Sequence, residues 1–390
     1  MSTATSSITS GAIWDEVHAA LGTVQDPEIK QPITDLGMVD EVRIDPDGTV
    51  HVRVLLTVAA CPLKETLTRD TTTAVGKVAG VSRVEVDLGV MSDEQRQGLR
   101  DQLKGGQASR DIPFARADSL TKVIAVASGK GGVGKSSVTV NLALAMAGTG
   151  LSVGVLDADV YGHSVPDMLG VGDRRPTQVE DMIMPVEAHG VRTISIGMLK
   201  PRKDQVVAWR GPMLDRALVQ MLSDVFWGDL DVLLLDLPPG TGDVAISLGQ
   251  HLANSEVVVV TTPQQAAADV AERAGTMASM MHQRVAGVVE NMSYLPCPHC
   301  GPEHRLEVFG SGGGDRVAAT LSGRFGYDVA VLGRVPLDQR LRAGGDSGTP
   351  LVVTDPSSPA ATELTRVAHQ LTSKARGLAG MQLGLTPAGR

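Results

Sequence analysis

Beyond Lys122, short runs of Val, Ile and Leu alternate with longer stretches in which apolar residues recur at helical spacing. The runs fall near 123–128, 152–158, 192–197, 231–237, 256–261, 284–291 and 329–335. Brief apolar strands separated by helices predict an α/β domain on a mostly parallel, doubly wound sheet, over residues 119–372. The stretch before it has another texture. Ile13, Val17, Ala20 and Leu21 lie at helical spacing, Gly22 follows as a cap, and Asp26-Pro27-Glu28 blocks any continuation. Residues 38–44 and 49–58 alternate apolar with polar positions around the turn residues Asp45-Pro46-Asp47-Gly48, which predicts a hairpin. Cys61-Pro62 opens a second helical stretch to Val78, and residues 81–88 alternate again. A small α+β domain is expected over residues 11–90. Residues 91–118 are charged and almost free of aliphatic periodicity, the texture of a linker, helical in part, and residues 373–390 read as a flexible tail.

Composition sharpens this picture. Aromatic residues are 3% of the chain while hydrophobic residues are 42%, so Ala, Val and Leu must fill the core, as suits a parallel sheet covered by helices. Lys and Arg number 35 against 44 Asp and Glu, a net charge of −9 with no long basic run, which argues against nucleic acid as a partner. No apolar run approaches the roughly eighteen residues that span a bilayer. Residues 377–390, with four glycines and no aromatic, make a poor membrane anchor. Three cysteines cannot form a disulfide framework, and the Ser/Thr-rich first ten residues lack the features of a targeting signal. A cytoplasmic chain with reduced thiols is expected.

The run at 122–128 leads into Gly129-Lys130-Gly131-Gly132-Val133-Gly134-Lys135-Ser136, followed by a helical run from Ser137. This is the phosphate-loop pattern in the strand, loop and helix context that it requires. Glycines let backbone N–H groups converge on phosphate oxygens, and the helix N-terminus adds a favourable partial charge. Residues 129–137 are thus expected to cradle a nucleotide, with Lys135 reaching the β- and γ-phosphates and Ser136 offering its hydroxyl to Mg2+. Two further strand ends carry carboxylates toward the ligand crevice: Asp157 and Asp159 in Asp157-Ala158-Asp159-Val160-Tyr161-Gly162, and Asp236 in Asp236-Leu237-Pro238-Pro239-Gly240-Thr241-Gly242-Asp243. Asp236 is expected to hold Mg2+ through a water, Asp157 to assist, and Asp159 to orient the attacking water. Capping of the following helix is the alternative, strongest for Asp243. Asn291, at the end of a later run, can both donate to and accept from adenine, or else form a turn.

Directly after Asn291 comes Met292-Ser293-Tyr294-Leu295-Pro296-Cys297-Pro298-His299-Cys300-Gly301. Two thiolates at this spacing grip one edge of a metal. Zinc or an iron–sulfur cluster takes four ligands, which a symmetric dimer of two-cysteine chains would supply. The alternatives are a mononuclear zinc site completed by His299 and His304, a thioredoxin-like redox pair, and inert surface thiols.

Taken together, GKGGVGKSS, DADVYGHS, DLPPGTGD, TTPQ at 261–264 and NMSYLPCPHCG closely resemble the Mrp/ApbC family of ATP-binding iron–sulfur cluster carriers, over residues 119–370. DPEI at 26–29, DLGMV at 35–39 and Ala60-Cys61-Pro62 resemble the small PaaD-like domain that often precedes this ATPase. The resemblance implies a deviant Walker A P-loop fold, ATP and Mg2+ as cofactors, and hydrolysis of ATP by phosphoryl transfer to water. It implies a 4Fe-4S cluster bridging a homodimer through Cys297 and Cys300, with apo iron–sulfur proteins and a cluster-assembly scaffold as partners. It also implies that Lys130, directly after the first glycine, reaches the partner protomer's nucleotide as an arginine finger does. Cys61 reads either as a transient cluster or iron ligand or as a small buried hydrophobe. The rival functions are a positioning ATPase with a structural zinc on the two cysteines and an electron-transferring reductase like the nitrogenase iron protein. The first of these lacks a membrane anchor, and the second does not arrange its cysteines as a CxxC pair.

Overall fold

Each of the seven expected apolar runs is a strand of one sheet in the computed structural model, which describes residues 11–27, 29–57, 64–103, 111–160, 162–200 and 211–373. Strand Lys122–Ser128 lies inside the sheet, paired in parallel with Val232–Asp236 on one side and Glu256–Thr261 on the other. Beyond Val232–Asp236 come Val153–Asp157, Val191–Ser195 and the antiparallel edge strand Val186–Ala188. Beyond Glu256–Thr261 come Arg284–Glu290 and Val331–Arg334. The winding reverses at Lys122–Ser128, and in such sheets ligands bind off the carboxyl ends of the strands at the reversal.

The sequence explains why these strands do not alternate. Val153–Asp157 and Val232–Asp236 are buried at every position because helices cover both faces. Helix Lys135–Ala147 is itself buried on nearly all sides, packed against the sheet and against helix Pro359–Ser373. Leu142 and Leu364 are fully buried there; truncating such a leucine to alanine costs about 2–5 kcal/mol.

The chain divides into two compact units, the smaller made of the described residues through Leu103 together with Thr177–Met184. Its sheet has three strands: Val39–Ile44 and Thr49–Leu56 antiparallel, then Thr49–Leu56 and Arg83–Val90 parallel. Val50, Val52 and Val54 are buried at alternate positions of their strand, and Val17, Leu21, Leu67 and Val75 of helices Gly11–Leu21 and Lys64–Val75 are buried at helical spacing. Within the stretch expected to be a linker lie a helix, Asp93–Leu103, and a 3-10 turn, Pro113–Ala115. Cys61 and Pro62, the first ten residues and the tail beyond Ser373 lie outside the described residues. Among the described residues no helix is long and apolar enough to cross a membrane.

Candidate functional site

Strand Lys122–Ser128 runs into the glycine loop, and helix Lys135–Ala147 begins directly after it. Two glycines of the loop are fixed by different constraints. Gly134 has φ +77°, and a Cβ there would lie 2.3 Å from Asn291 Nδ2. Gly129 permits a close approach, since its Cβ would lie 2.2 Å from the Val270 carbonyl carbon in helix Gln265–Met280. At Gly132 a Cβ would meet nothing within 4 Å, so the loop is open on that side.

The ammonium, hydroxyl and carboxylate groups converge below the loop. Lys135 Nζ lies 2.7 Å from Asp236 Oδ1, with side chains 6% and 0% exposed. Ser136 Oγ donates to Asp236 Oδ2 at 2.6 Å and Thr139 Oγ1 to Asp236 Oδ1 at 2.9 Å. Asp157 stands beside Asp236 in the parallel register. It is fully buried, its Oδ1 accepting from the Asp159 N–H at 3.1 Å and its Oδ2 from the Val165 N–H at 3.2 Å. Burial, and then the charge of Asp236, push the Asp157 carboxyl up to about 8, against the lowering pull of Lys135. One lysine thus faces two carboxylates, and a proton on Asp157 relieves the excess negative charge. One ammonium, two hydroxyls and two carboxylates at the foot of an open glycine loop form a set of groups that suits a magnesium nucleotide.

The remaining expected residues are placed differently. Asp159 Oδ1 accepts from the Gly162 N–H at 2.9 Å, closing a tight local turn. Lys130 Nζ donates to Gln264 Oε1 at 3.3 Å, away from the buried cluster. Ser137 lies in the first turn of its helix; Asp243 is the first residue of helix Asp243–His251, whose N-cap is Gly242 with no side-chain cap bond, so its carboxylate sits in the first turn without capping the helix. Asn291 follows strand Arg284–Glu290 and is 2% exposed. Its Nδ2 donates to the Val133 carbonyl at 2.9 Å, while its Oδ1 is buried with no partner. An acceptor left over beside the phosphate loop suits the amino group of a base.

From Asn291 the chain turns at Met292, φ +54°, into a hairpin of Leu295–Cys297 and Gly301–Leu306. Cys297 faces Gly301 across it, so Pro298, His299 and Cys300 form the connection. Cys297 is half-buried and Cys300 exposed, with the Cys300 N–H donating to Cys297 Sγ at 3.4 Å. The backbone N–H groups of Cys300 and His299, and then the Cys300 thiol, lower the Cys297 pKa and favour the thiolate, the form that binds metals. Among the described residues no three His, Cys, Asp or Glu side chains are grouped to hold a metal ion, so His299 and His304 do not complete a site with the two cysteines.

Sequence reasoning did not single out Thr139, Gln264 or Glu290. Thr139 had a signal: it lies one helical turn beyond Lys135, on the same face. Glu290 had one too, as a carboxylate closing an apolar strand immediately before Asn291.

Comparison with known proteins places the chain in a family. The family described as NUBPL iron-transfer P-loop NTPase matches residues 119–372, and that described as iron-sulfur cluster assembly protein matches residues 15–88. The chain is 59% identical over 374 residues to a Mycobacterium tuberculosis protein named iron-sulfur cluster carrier protein, covering 96% of this chain and 97% of the relative. An Escherichia coli protein of the same name is 37% identical over 360 residues, covering 92% and 90% of the two chains. A solved nucleotide-binding protein from Archaeoglobus fulgidus, in complex with ADP, superposes with a TM-score of 0.53 at 34% identity, covering 66% of this chain and 97% of that one. With the phosphate loop, its buried lysine and aspartates, and a family match over most of its length, the chain belongs to the NUBPL iron-transfer P-loop NTPases.

Proposed function

We propose that this protein is an ATP-binding and ATP-hydrolysing iron–sulfur cluster carrier. Two copies hold a labile 4Fe-4S cluster on Cys297 and Cys300 of each and pass it to apo-proteins. The observation that carries this reading is the cysteine hairpin itself. It presents two thiols, one of them exposed and the other favoured as thiolate, with no third ligand grouped beside them among the described residues. A cluster that takes four protein ligands is then completed by a second copy. The names of the mycobacterial and Escherichia coli relatives support the same reading.

Residues 129–137 would hold the phosphates, Lys135 their β and γ groups, Ser136 and Asp236 the magnesium with Asp157 assisting, and Asn291 the base through its free Oδ1. Magnesium, when bound, neutralises charge on the β- and γ-phosphoryl oxygens. To bind a magnesium nucleotide, Lys135 would exchange its bond to Asp236 for bonds to the phosphates and Ser136 would turn its hydroxyl from Asp236 toward the metal. Asp159 would orient the attacking water once released from Gly162, and Lys130 would leave Gln264 to reach the partner's nucleotide. Hydrolysis is therefore expected to be slow until two copies close on each other.

Anaerobic reconstitution with iron and sulfide tests the proposal, reading iron, sulfide and native mass for wild type and Cys297→Ser. About four irons per wild-type dimer and none on the variant is the expected result. Iron content unchanged by Cys297→Ser, or zinc retained by a monomer, would remove the site from the hypothesis.

A further inference from the structure

The hairpin that bears the cysteines belongs to a longer excursion, which leaves the sheet after Asn291 and returns at the glycine-rich run Gly310-Ser311-Gly312-Gly313-Gly314. Both of its ends meet one side chain. Glu290 is 1% exposed; its Oε1 accepts from Ser293 Oγ at 2.5 Å, and its Oε2 accepts from the Gly314 N–H at 2.6 Å. Ser293 is the way out and Gly314, in the first turn of helix Gly313–Phe325, is the way back.

The seat is close-fitting on the return side. A Cβ on Gly314 would lie 3.0 Å from Glu290 Cβ, and one on Gly313 would lie 2.6 Å from the carbonyl oxygens of Thr262 and Pro263. The exit is held as well, by the Ser293 N–H on the Val335 carbonyl at 2.9 Å and the Leu337 N–H on the Tyr294 carbonyl at 2.7 Å. Glu290 therefore closes the base of the excursion like a clasp, and the next residue is Asn291, whose amide holds the Val133 carbonyl of the phosphate loop. Glu290 is thus a buried carboxylate satisfied on both oxygens, one by the exit residue Ser293 and one by the first turn of helix Gly313–Phe325.

We propose that Glu290 is a positioning residue: by fastening both ends of the 293–314 excursion next to Asn291, it makes the state of the phosphate loop felt at Cys297 and Cys300. The inference rests on residues 129–137 and Asn291 forming the nucleotide site, and it deepens the carrier reading by naming the link between its two sites. The linking element has few internal degrees of freedom: Val133, Asn291, Glu290 and then the two legs of the excursion.

The test uses the full-length chain free of iron. Peptide mass spectrometry follows iodoacetamide alkylation of Cys297 and Cys300, without nucleotide and with saturating Mg-ATP, and scores Cys61 separately. In wild type the two conditions are expected to differ about fivefold in rate. In Glu290→Ala the difference should fall below about twofold, with the nucleotide Kd measured in the same solutions kept within about threefold. Glu290→Gln should restore the response, because its Oε1 still accepts from Gly314 and its amide can donate to Ser293 Oγ. Such rescue separates positioning from a loss of bulk. Ser293→Ala, which unfastens one leg only, should lose at least half of the response and serves if Glu290→Ala does not fold. Wild-type thiols indifferent to nucleotide, or alanine variants that respond as wild type does, would overturn the proposal. No cluster enters this assay, so failure to reconstitute iron would sink the carrier reading and leave this result standing.

Discussion

In the nucleotide-free protein, Asp157 is expected to carry a proton at neutral pH and to release it near pH 8. In the unfolded chain the same carboxyl titrates near 3.8. Between these values the folded state binds one more proton than the unfolded state, so this group's contribution to stability is complete below pH 3.8 and is lost as pH rises to about 8. One proton changes the unfolding free energy by about 1.4 kcal/mol per pH unit, so raising the pH from 6 to 8 should cost about 2 kcal/mol through Asp157 alone. Asp157→Asn removes the proton. It also deprives either the Asp159 or the Val165 N–H of its acceptor, a pH-independent loss of about 1–3 kcal/mol. Urea unfolding at closely spaced pH values, followed by fluorescence to which the buried Trp227 contributes, gives both curves. The wild-type curve should fall more steeply than that of Asp157→Asn between pH 6 and 8 and run parallel to it above pH 8.5. Parallel curves throughout would mean that Asp157 is already ionised at pH 6, and the charge balance argued for the site would be wrong.

Lys135→Ala should abolish nucleotide binding in calorimetry. By stranding Asp236 in the core it should also lower the stability of the free chain by about 3–5 kcal/mol, and normal binding would contradict the assignment. Gly134→Ala forces an L side chain into φ +77° against Asn291, and nucleotide affinity should drop at least about tenfold, measured by fluorescence titration. Lys130→Ala should keep nucleotide affinity while slowing steady-state hydrolysis by about a hundredfold or more. Turnover at the wild-type rate would dismiss the cross-dimer role.

The parts of the fold that were legible in the sequence were those with strong periodic signals. Strands such as Val232–Asp236 announce themselves as apolar runs because both of their faces are covered, and the phosphate loop carries its context with it. Helix Asp93–Leu103 did not stand out, because Leu99 and Leu103 are its only aliphatic residues and no apolar stripe results. The hairpin Thr177–Val179 with Met182–Met184 was missed because three-residue strands are too short to show a period. Within the site, residue types indicated which groups belong to the chemistry, whereas their pairings depend on tertiary distance. That Asn291 spends its amide on Val133, or that Glu290 ties Ser293 to Gly314, is set by contacts between segments and leaves no local pattern.

The strand order also governs how the protein comes into being on the ribosome. Lys122–Ser128 pairs with no strand made soon after it; its two neighbours begin at Val232 and Glu256, more than a hundred residues later. At a synthesis rate of about 5–20 residues per second, the phosphate-loop strand waits on the order of ten seconds with both edges unsatisfied. The hairpin of Val39–Ile44 and Thr49–Leu56 is complete long before then. During that interval the nascent larger unit offers bare apolar edges to other chains, and Asp236 and Asn291 of the candidate nucleotide site have yet to be made. Demand for chaperones should therefore fall on the strands of the larger unit between residues 122 and 260 rather than on the early hairpin of Val39–Ile44 and Thr49–Leu56.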